Sequence, residues 1–115
     1  CDAVYSIEVN SVLAKQAAEN LDRTGYSRVK LKQGDGYQGW QDQAPFDAII
    51  AACASSMVPE PLVAQLVDGG RMIIPVDVMF GQELFLLRKS GDDLIKSGVL
   101  PVRFVPMVDG KGRGY

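Results

Sequence analysis

Hydrophobic and polar positions along the first third of the chain predict a strand, a helix and a second strand. Residues 4–9 carry β-branched and aromatic side chains at close intervals, which favours a strand. Asn10 then offers a side-chain acceptor for the first turn of a helix, and Gly25 offers the left-handed residue that ends one. The helical face that would pack on a sheet consists of Ala14, Ala17, Ala18 and Leu21. The second strand is expected over residues 29–33.

The middle and the end of the chain predict buried strands and one short helix. Residues 46–52 are apolar almost throughout, which is typical of a parallel strand that is buried on both faces. The polar stretch before them, residues 38–45, is expected to form a loop or a short helix around Trp40. Further expected elements are a helix over 59–66 that stops at Asp68–Gly70, strands over 72–76, 83–88 and about 100–105, and a polar connection over 90–97.

The order of these elements predicts an α/β fold. Early strands that alternate with helices are typical of a parallel sheet, whereas the last two strands are expected to form an antiparallel hairpin. The chain shows no internal repeat, low-complexity segment or linker. We therefore interpret residues 1–109 as a single domain and residues 110–115 as a flexible tail.

Composition narrows the possible classes of function. Of the 115 residues, 47% are hydrophobic and 23% are charged, as in ordinary globular proteins. The 14 acidic and 12 basic residues leave a net charge of −2, so the chain lacks the basic excess that nucleic-acid binding needs. No apolar run approaches the ~20 residues of a membrane-spanning helix. We therefore expect neither a nucleic acid nor a membrane as a partner. Two cysteines in such a composition favour a reducing compartment, which suggests a cytoplasmic location.

The absence of histidine restricts the chemistry that this chain can perform. It excludes Ser-His-Asp and Cys-His nucleophilic sites and every histidine-ligated metal within these residues. Ser55 therefore has no evident base, and Cys53, in an apolar setting, is interpreted as a small core residue. We expect no metal site and assign no catalytic residue.

Two acidic residues follow predicted parallel strands and are the first candidates for a binding site. Glu8 closes the first strand and Asp35 lies just past the second, beside Gly36. Because ligands of open α/β sheets bind outside the carboxyl ends of the strands, such acids can accept hydrogen bonds from ribose hydroxyls or an exocyclic amine. The alternative is that Glu8 is a solvated charge at a strand end and Asp35 a turn former.

Several segments together resemble one enzyme family. Tyr5–Val9 followed by a helix, and then Gly34–Gly36 with Gly39, resemble the cofactor half of a class I S-adenosylmethionine-dependent methyltransferase. The segments that are similar to protein-L-isoaspartate O-methyltransferases are Pro45–Ile50, Val58–Pro59, Leu66, Gly69–Arg71, Ile74–Val76, Gln82 and Phe104–Pro106. These enzymes esterify the abnormal carboxylate of isoaspartyl residues in damaged proteins.

The resemblance implies a Rossmann-like, mostly parallel sheet that ends in an antiparallel hairpin. It also implies S-adenosylmethionine as the cofactor and isoaspartyl-containing proteins or peptides as substrates. It places the cofactor against Glu8, Val9, Asp35 and Gly36, with Glu8 at the ribose and Asp35 beside the adenine. Little further chemistry is required of the protein, because the sulfonium is already activated and the nucleophile is a carboxylate.

The acceptor side of the site is also implied by the resemblance. Residues 52–59, which include Ser55, would line the methyl-transfer site, and Phe104, Val105 and Pro106 would lie near the bound peptide. These residues are substrate-binding candidates.

Three parts of the family pattern have no counterpart in these residues, namely its first strand, its glycine-rich cofactor loop and the preceding region with a hydroxyl residue implicated in catalysis. The spaced glycines Gly110, Gly112 and Gly114 follow no strand–helix turn and do not replace that loop. We therefore expect an N-terminally incomplete methyltransferase that is inactive by itself. The alternative is a non-catalytic remnant that acts as an interaction or structural module.

The family topology also predicts an open position in the sheet. The family's first strand would lie between the strand over 4–9 and the strand over 46–52, so both would expose an edge. Either these two strands pair directly or a second copy of the chain covers the gap. We expect a homodimer, because residues 46–52 are apolar on both faces and need more cover than a neighbouring backbone provides.

Overall fold

The computed structural model describes residues 3–26, 28–79, 81–103 and 105–108. In chain order, the elements are β1 (Val4–Glu8), α1 (Ser11–Thr24), β2 (Val29–Gln33), two 3-10 helices (Gly36–Gln38 and Gln41–Gln43), β3 (Phe46–Ile50), α2 (Glu60–Ala64), β4 (Leu66–Val78), β5 (Gly81–Ser90) and β6 (Asp93–Val102). This order of strands and helices is the one that the sequence predicted. The tail predicted over 110–115, and Phe104, lie outside the described residues.

The first unit is formed by β1, α1 and β2, and its boundaries confirm the sequence prediction. The two strands pair in parallel over their whole length. Asn10 Oδ1 accepts hydrogen bonds from the backbone N–H groups of Val12 (2.9 Å) and Leu13 (3.0 Å), which begins α1. The helix ends at Gly25, whose φ of 82° is the left-handed conformation that glycine adopts without steric cost. Of the helical face predicted to pack on the sheet, Ala14 is buried and Ala17 and Leu21 are half-buried, whereas Ala18 is exposed, so the prediction was wrong for Ala18.

The other four strands form a separate sheet in the order β3-β4-β5-β6. β3 and β4 are parallel, whereas β4, β5 and β6 are successively antiparallel. α2 covers one face of this sheet, and the core there consists of Leu62, Leu66, Met72, Ile74, Val76 and Leu87. The predicted α/β class, with parallel strands followed by an antiparallel hairpin, is confirmed.

The predicted boundary between α2 and β4 was wrong. The helix ends at Ala64, and β4 already begins at Leu66 rather than at Met72. Asp68–Gly70, which the sequence suggested as a helix stop, lies inside the strand, where the register with β3 shifts. Pairing with β3 therefore overrides the local turn signal of two adjacent glycines.

The hairpin of β5 and β6 is longer than predicted. The connection expected over residues 90–97 reduces to a turn at Gly91 and Asp92, since β6 already begins at Asp93 and ends at Val102. Gly91 has a φ of 60°, and its N–H donates to Asp68 Oδ1 at 2.8 Å. The polar residues of the predicted connection are accommodated because β6 is the last strand of its sheet and exposes much of its length.

The prediction that β3 is buried on both faces was also wrong. Ile50 is 78% exposed, and Ala48 is exposed as well. Its second face stays open because, within the described residues, α1 packs on β1 and β2 while α2 lies on the opposite face of the sheet. β1 and β3 do not pair with each other, so direct pairing of these strands does not close the expected gap.

Candidate functional site

A cleft of about 590 Å³ separates β1 from β3. Its walls include every residue from Tyr5 to Val9 on one side and from Ala48 to Cys53 on the other. Gly36, Gly39 and Trp40 lie along it, and residues 105–108 complete its boundary. The volume falls within the range of pockets that hold small organic ligands, roughly 300–1,000 Å³.

β1 and β3 run in the same direction along this cleft. At their amino-terminal ends, the rings of Tyr5 and Phe46 are 5.7 Å apart between centroids. At the other end, the carboxylate of Glu8 lies near enough to Cys53 to influence the pKa of its thiol. The carboxyl ends of both strands therefore meet at one end of the cleft, where ligands of open α/β sheets bind.

Glu8 lies in the cleft wall as the sequence predicted. Its Oε1 accepts a hydrogen bond from the backbone N–H of Asn10 at 3.2 Å, which ties the carboxylate to the residue that begins α1. Within the described residues, no hydrogen bond to Oε2 is observed. One oxygen is thus held by the protein while the other is available to a ligand. Val9, next to it, also lines the cleft, and its carbonyl accepts from Gln33 Nε2 at 2.8 Å.

Asp35 and Gly36 occupy different positions relative to the cleft. Asp35 Oδ1 accepts from the backbone N–H of Tyr37 at 2.9 Å and so begins the first 3-10 helix. Gly36 lines the cleft, whereas Asp35 lies behind it in the turn. The turn-forming role of Asp35 is therefore observed, and its contact with a cofactor remains a prediction.

The loop beside the cleft is held by Gln65, a residue that sequence reasoning missed. Gln65 is 6% exposed; its Oε1 accepts from Trp40 N at 2.9 Å and its Nε2 donates to the Gln38 carbonyl at 2.8 Å. Gly39 lies between these two contacts with a φ of 64°, and a Cβ there would collide with the Gln65 side chain. Gln65 belongs to no recognisable sequence motif, and its partners Trp40 and Gln38 are 25 and 27 residues away. The local sequence pattern therefore could not reveal these two hydrogen bonds.

Three aromatic rings close the amino-terminal end of the cleft. Tyr5 meets Trp40 edge-to-face at a centroid distance of 5.4 Å, and it meets Phe46 at 5.7 Å. Lys32 Nζ lies 5.6 Å from the centroid of Trp40. Such ring pairs add about 0.5–1.5 kcal/mol each beyond the area they bury, so they help to hold β1 against β3 in the absence of backbone pairing.

A short parallel bridge between Ala54 and Pro106 brings two of the acceptor-side candidates, Val105 and Pro106, to the cleft. Ala54 N donates to the Val105 carbonyl at 2.9 Å, and Met107 N donates to the Ala54 carbonyl at 2.7 Å. Val105 and Pro106 therefore lie at the carboxyl end of the cleft, and Val105 is 69% exposed. Ser55 is 2% exposed and outside the cleft lining, and its hydroxyl donates to the Met57 carbonyl.

The pKa values of two groups near the cleft, the Cys53 thiol and the Tyr37 hydroxyl, are raised above their ordinary values. Burial raises the pKa of the Cys53 thiol, and the negative charge of Glu8 raises it further. Burial likewise raises the pKa of the Tyr37 hydroxyl, while a hydrogen bond with Ser55 acts in the opposite direction. Cys53 lies half-buried in the cleft wall rather than in the core, and its protonated thiol is a poor nucleophile.

Neither a metal site nor a membrane span is found in the part of the chain that the structure describes. Its His, Cys, Asp and Glu residues form no group of three that could hold a metal ion. No helix there has the length and apolar character needed to cross a bilayer.

Comparison with known proteins gives a consistent result. The sequence model of the family described as Protein-L-isoaspartate(D-aspartate) O-methyltransferase (PCMT) matches residues 2–112. The chain is 49% identical over 108 residues to protein-L-isoaspartate O-methyltransferase 1 of Cupriavidus necator, and the match covers 92% of this chain and 42% of that protein. It is 47% identical over 110 residues to a Syntrophobacter fumaroxidans relative, with 94% and 44% covered. The chain therefore spans less than half the length of these two relatives.

Solved structures agree with the sequence matches. A protein-L-isoaspartate O-methyltransferase superposes with a TM-score of 0.88 at 31% identity, which covers 96% of this chain and 35% of that one. A Plasmodium falciparum enzyme of the same description, solved in complex with S-adenosyl-L-homocysteine, superposes with a TM-score of 0.78 at 26% identity, with 91% and 52% covered. The chain belongs to the protein-L-isoaspartate(D-aspartate) O-methyltransferase family, as its motifs had indicated.

Proposed function

We propose that the carboxyl end of the cleft between β1 and β3 binds S-adenosylmethionine for methyl transfer to the carboxylate of L-isoaspartyl residues in damaged proteins. The observation that carries this proposal is the position of Glu8 at the carboxyl end of β1, in the wall of a cleft of about 590 Å³. Family membership and the S-adenosyl-L-homocysteine complex of the Plasmodium falciparum structure support the same cofactor class.

The residues of the cleft fit this cofactor. Glu8 Oε1 is held by Asn10 N, and Oε2 is free within the described residues to accept from a ribose hydroxyl. Gly36 and Val9 line the adjoining wall, where the absence of bulk at Gly36 allows close approach of an adenine ring. Asp35, at the same turn, would accept from the exocyclic amine if its carboxylate kept one oxygen for Tyr37 N.

The acceptor side needs little chemistry from this chain. When bound, S-adenosylmethionine supplies a methyl group on an electron-poor sulfonium, and the isoaspartyl carboxylate is already a nucleophile at neutral pH. Val105 and Pro106 would position the peptide at the carboxyl end of the cleft, and Ser55 would support that segment from behind. Alignment of donor and acceptor is then the main contribution of the protein, so the lack of histidine is no obstacle.

Replacement of Glu8 by alanine tests the cofactor site. We expect Glu8→Ala to weaken binding of S-adenosylhomocysteine by about 1.5–3 kcal/mol, or about 10- to 150-fold, because a charge-assisted hydrogen bond is lost. Isothermal titration calorimetry measures the two affinities. Glu19→Ala, which removes an exposed carboxylate from α1 away from the cleft, is the matched control and should bind like the unmodified chain. Equal affinities for all three proteins would exclude Glu8 from the site.

We also propose that the chain forms a homodimer through the open face of the four-stranded sheet. Ile50, Ile73 and Leu86 lie opposite one another across β3, β4 and β5, and Ile50 and Leu86 are 78% and 38% exposed. Burial of this row against a second copy would remove apolar surface from water. Sedimentation velocity should show a dimer at micromolar concentration that Leu86→Lys converts to monomer. A stable monomer of the unmodified chain would refute the dimer.

We also propose that this protein is located in the cytoplasm. Cys53 is a free thiol in the structure, as expected of a protein from a reducing compartment.

A non-catalytic interaction module is the second candidate, and one observation favours it. Among the described residues, no strand pairs with the edges that β1 and β3 present to the same cleft, and open strand edges are a common binding surface for extended chains. The calorimetric experiment distinguishes the two candidates, because a module without cofactor chemistry would not bind S-adenosylhomocysteine.

A further inference from the structure

Gln65 lies at the junction of α2 and β4, and both neighbouring elements fix its backbone. Its N–H donates to the carbonyls of Pro61 and Leu62, each at 3.2 Å, where α2 ends. Its carbonyl accepts from the N–H of Phe46, the first residue of β3, at 2.7 Å. The side chain of Gln65 therefore starts from a point that is anchored to the four-stranded sheet.

The side-chain amide of Gln65 bonds two backbone groups of the turn over residues 35–40. It donates to the Gln38 carbonyl at 2.8 Å and accepts from Trp40 N at 2.9 Å. Gln38 ends the first 3-10 helix, and the last carbonyls of a helix have no partner within it. Because a primary amide both donates and accepts, one side chain satisfies both groups. Gln65 is buried, so loss of the amide would leave them with little water to bond instead.

The turn that Gln65 holds carries the wall proposed for the adenine ring. Gly36 lines the cleft, and Asp35 precedes it in the turn. The carbonyl of Asp35 accepts from Gln38 N at 3.2 Å, and the carbonyl of Gly36 accepts from Gly39 N at 3.1 Å. The two ends of this single helical turn are thus bonded to each other. A contact that fixes Gln38 therefore also fixes Gly36.

The turn lies close against Gln65 and has one further anchor. Gly39 is buried with a φ of 64°, and a Cβ there would collide with the Gln65 side chain, so the approach depends on glycine at this position. Tyr37, in the middle of the turn, is buried as well. Since this ring stays in place without the Gln65 amide, we expect the loss of that amide to loosen the turn rather than unfold it.

We propose that Gln65 is a positioning residue for the adenosine part of S-adenosylmethionine. Its side chain holds the turn over residues 35–40, and its backbone holds the start of β3, so it sets the distance between these two walls of the cleft. The apparent affinity of a ligand falls with the fraction of the protein that has the binding-competent arrangement. Release of the turn therefore weakens cofactor binding although Glu8 and Gly36 are unchanged. This inference rests on the proposed function.

Replacement of Gln65 by methionine tests the inference, because methionine has a similar length and lacks the amide donor and acceptor. We expect Gln65→Met to bind S-adenosylhomocysteine about 5- to 20-fold more weakly than the unmodified chain in isothermal titration calorimetry. Leu87→Ala is the control for a general loss of stability, since Leu87 lies in the core beneath α2 and outside the cleft lining. It should bind like the unmodified chain. Urea unfolding shows that each variant is folded under the conditions of the titration.

Amide hydrogen exchange on the unmodified chain gives a second readout that needs no variant. Coupling between two sites is reciprocal, so saturation with S-adenosylhomocysteine should in turn stabilise the hydrogen bond from Trp40 N to Gln65. We expect exchange of the Trp40 amide to slow at least about threefold more than that of the β5 amides. β5 is paired on both sides and lies outside the cleft lining, so its amides report general stabilisation by the ligand. This measurement decides alone if Gln65→Met does not fold.

Three results would contradict the inference and leave the proposed function intact, because the unmodified chain binds in each of them. Equal affinities of Gln65→Met and the unmodified chain would show that the turn keeps its position without the amide. Equal weakening by Leu87→Ala would show a general effect of stability. A Trp40 amide that slows no more than the amides of β5 would show that the ligand and the Gln65 contact are uncoupled. Failure of the unmodified chain to bind would overturn the proposed function, and this inference with it.

Discussion

The isolated 115-residue polypeptide is expected to methylate an isoaspartyl peptide on the order of 10⁵-fold more slowly than a full-length member of its family. Alignment of donor and acceptor is the main source of rate in this reaction, and effective molarities of 10⁵–10⁸ M indicate how much is lost without it. The glycine-rich cofactor loop of the family pattern has no counterpart in these 115 residues, so we expect the methionine end of the cofactor to be poorly aligned with the acceptor.

Transfer of a labelled methyl group from S-adenosylmethionine to a synthetic isoaspartyl peptide measures this rate. The same peptide with a normal aspartyl residue serves as the control for non-specific transfer. Calorimetry on the same preparation shows whether cofactor binding survives, which separates a misaligned site from an absent one. A turnover typical of enzymes would overturn the prediction and show that the described cleft suffices for catalysis.

Replacement of Ile74 by alanine is expected to lower the free energy of unfolding by about 2–5 kcal/mol. Ile74 is fully buried in the core beneath α2, between Met72 and Val76 on the same face of β4. The substitution removes apolar contacts and leaves a cavity that the surrounding side chains cannot fill completely. A domain of this size has a net stability of only ~5–15 kcal/mol, so the loss is a large fraction of the total.

Urea unfolding of the two proteins, followed by circular dichroism, measures the difference. Ile95→Ala is the matched control, because it makes the same chemical change on β6 at a side chain that is 52% exposed. Its cost should be much smaller, about 1 kcal/mol or less. Similar costs at both positions would mean that the core beneath α2 is not the main source of stability.

Local signals predicted the first unit well because its boundaries depend on local chemistry. The cap at Asn10 and the left-handed Gly25 act within one turn of α1, so the printed sequence suffices to place both ends. The start of β4 at Leu66 was missed because strand pairing with β3, more than fifteen residues earlier in the chain, overrides the glycines at 69 and 70. Local propensity cannot report such a contact.

In the candidate site, too, the residues set by local sequence were predicted and those set by contacts between distant segments were missed. Glu8 and Gly36 were found because they follow strands that local pattern identifies, and the carboxyl ends of parallel strands share one edge. Gln65 was missed because its contacts with Gln38 and Trp40 join segments far apart in sequence. The bridge between Ala54 and Pro106 likewise depends on the return of the chain after β6.

The sequence by itself determined the family, the order of strands and helices and the place of the acidic residue at the end of β1. These properties follow from periodicity, capping residues and motifs, which act over a few residues or are read directly as a pattern. The tertiary structure alone decided that β1 and β3 stay apart, that Ile50 lies open and that two backbone edges face one cleft. Pairing and burial depend on which distant segments meet, and an apolar strand reads the same in sequence whether its second face is covered or exposed to solvent.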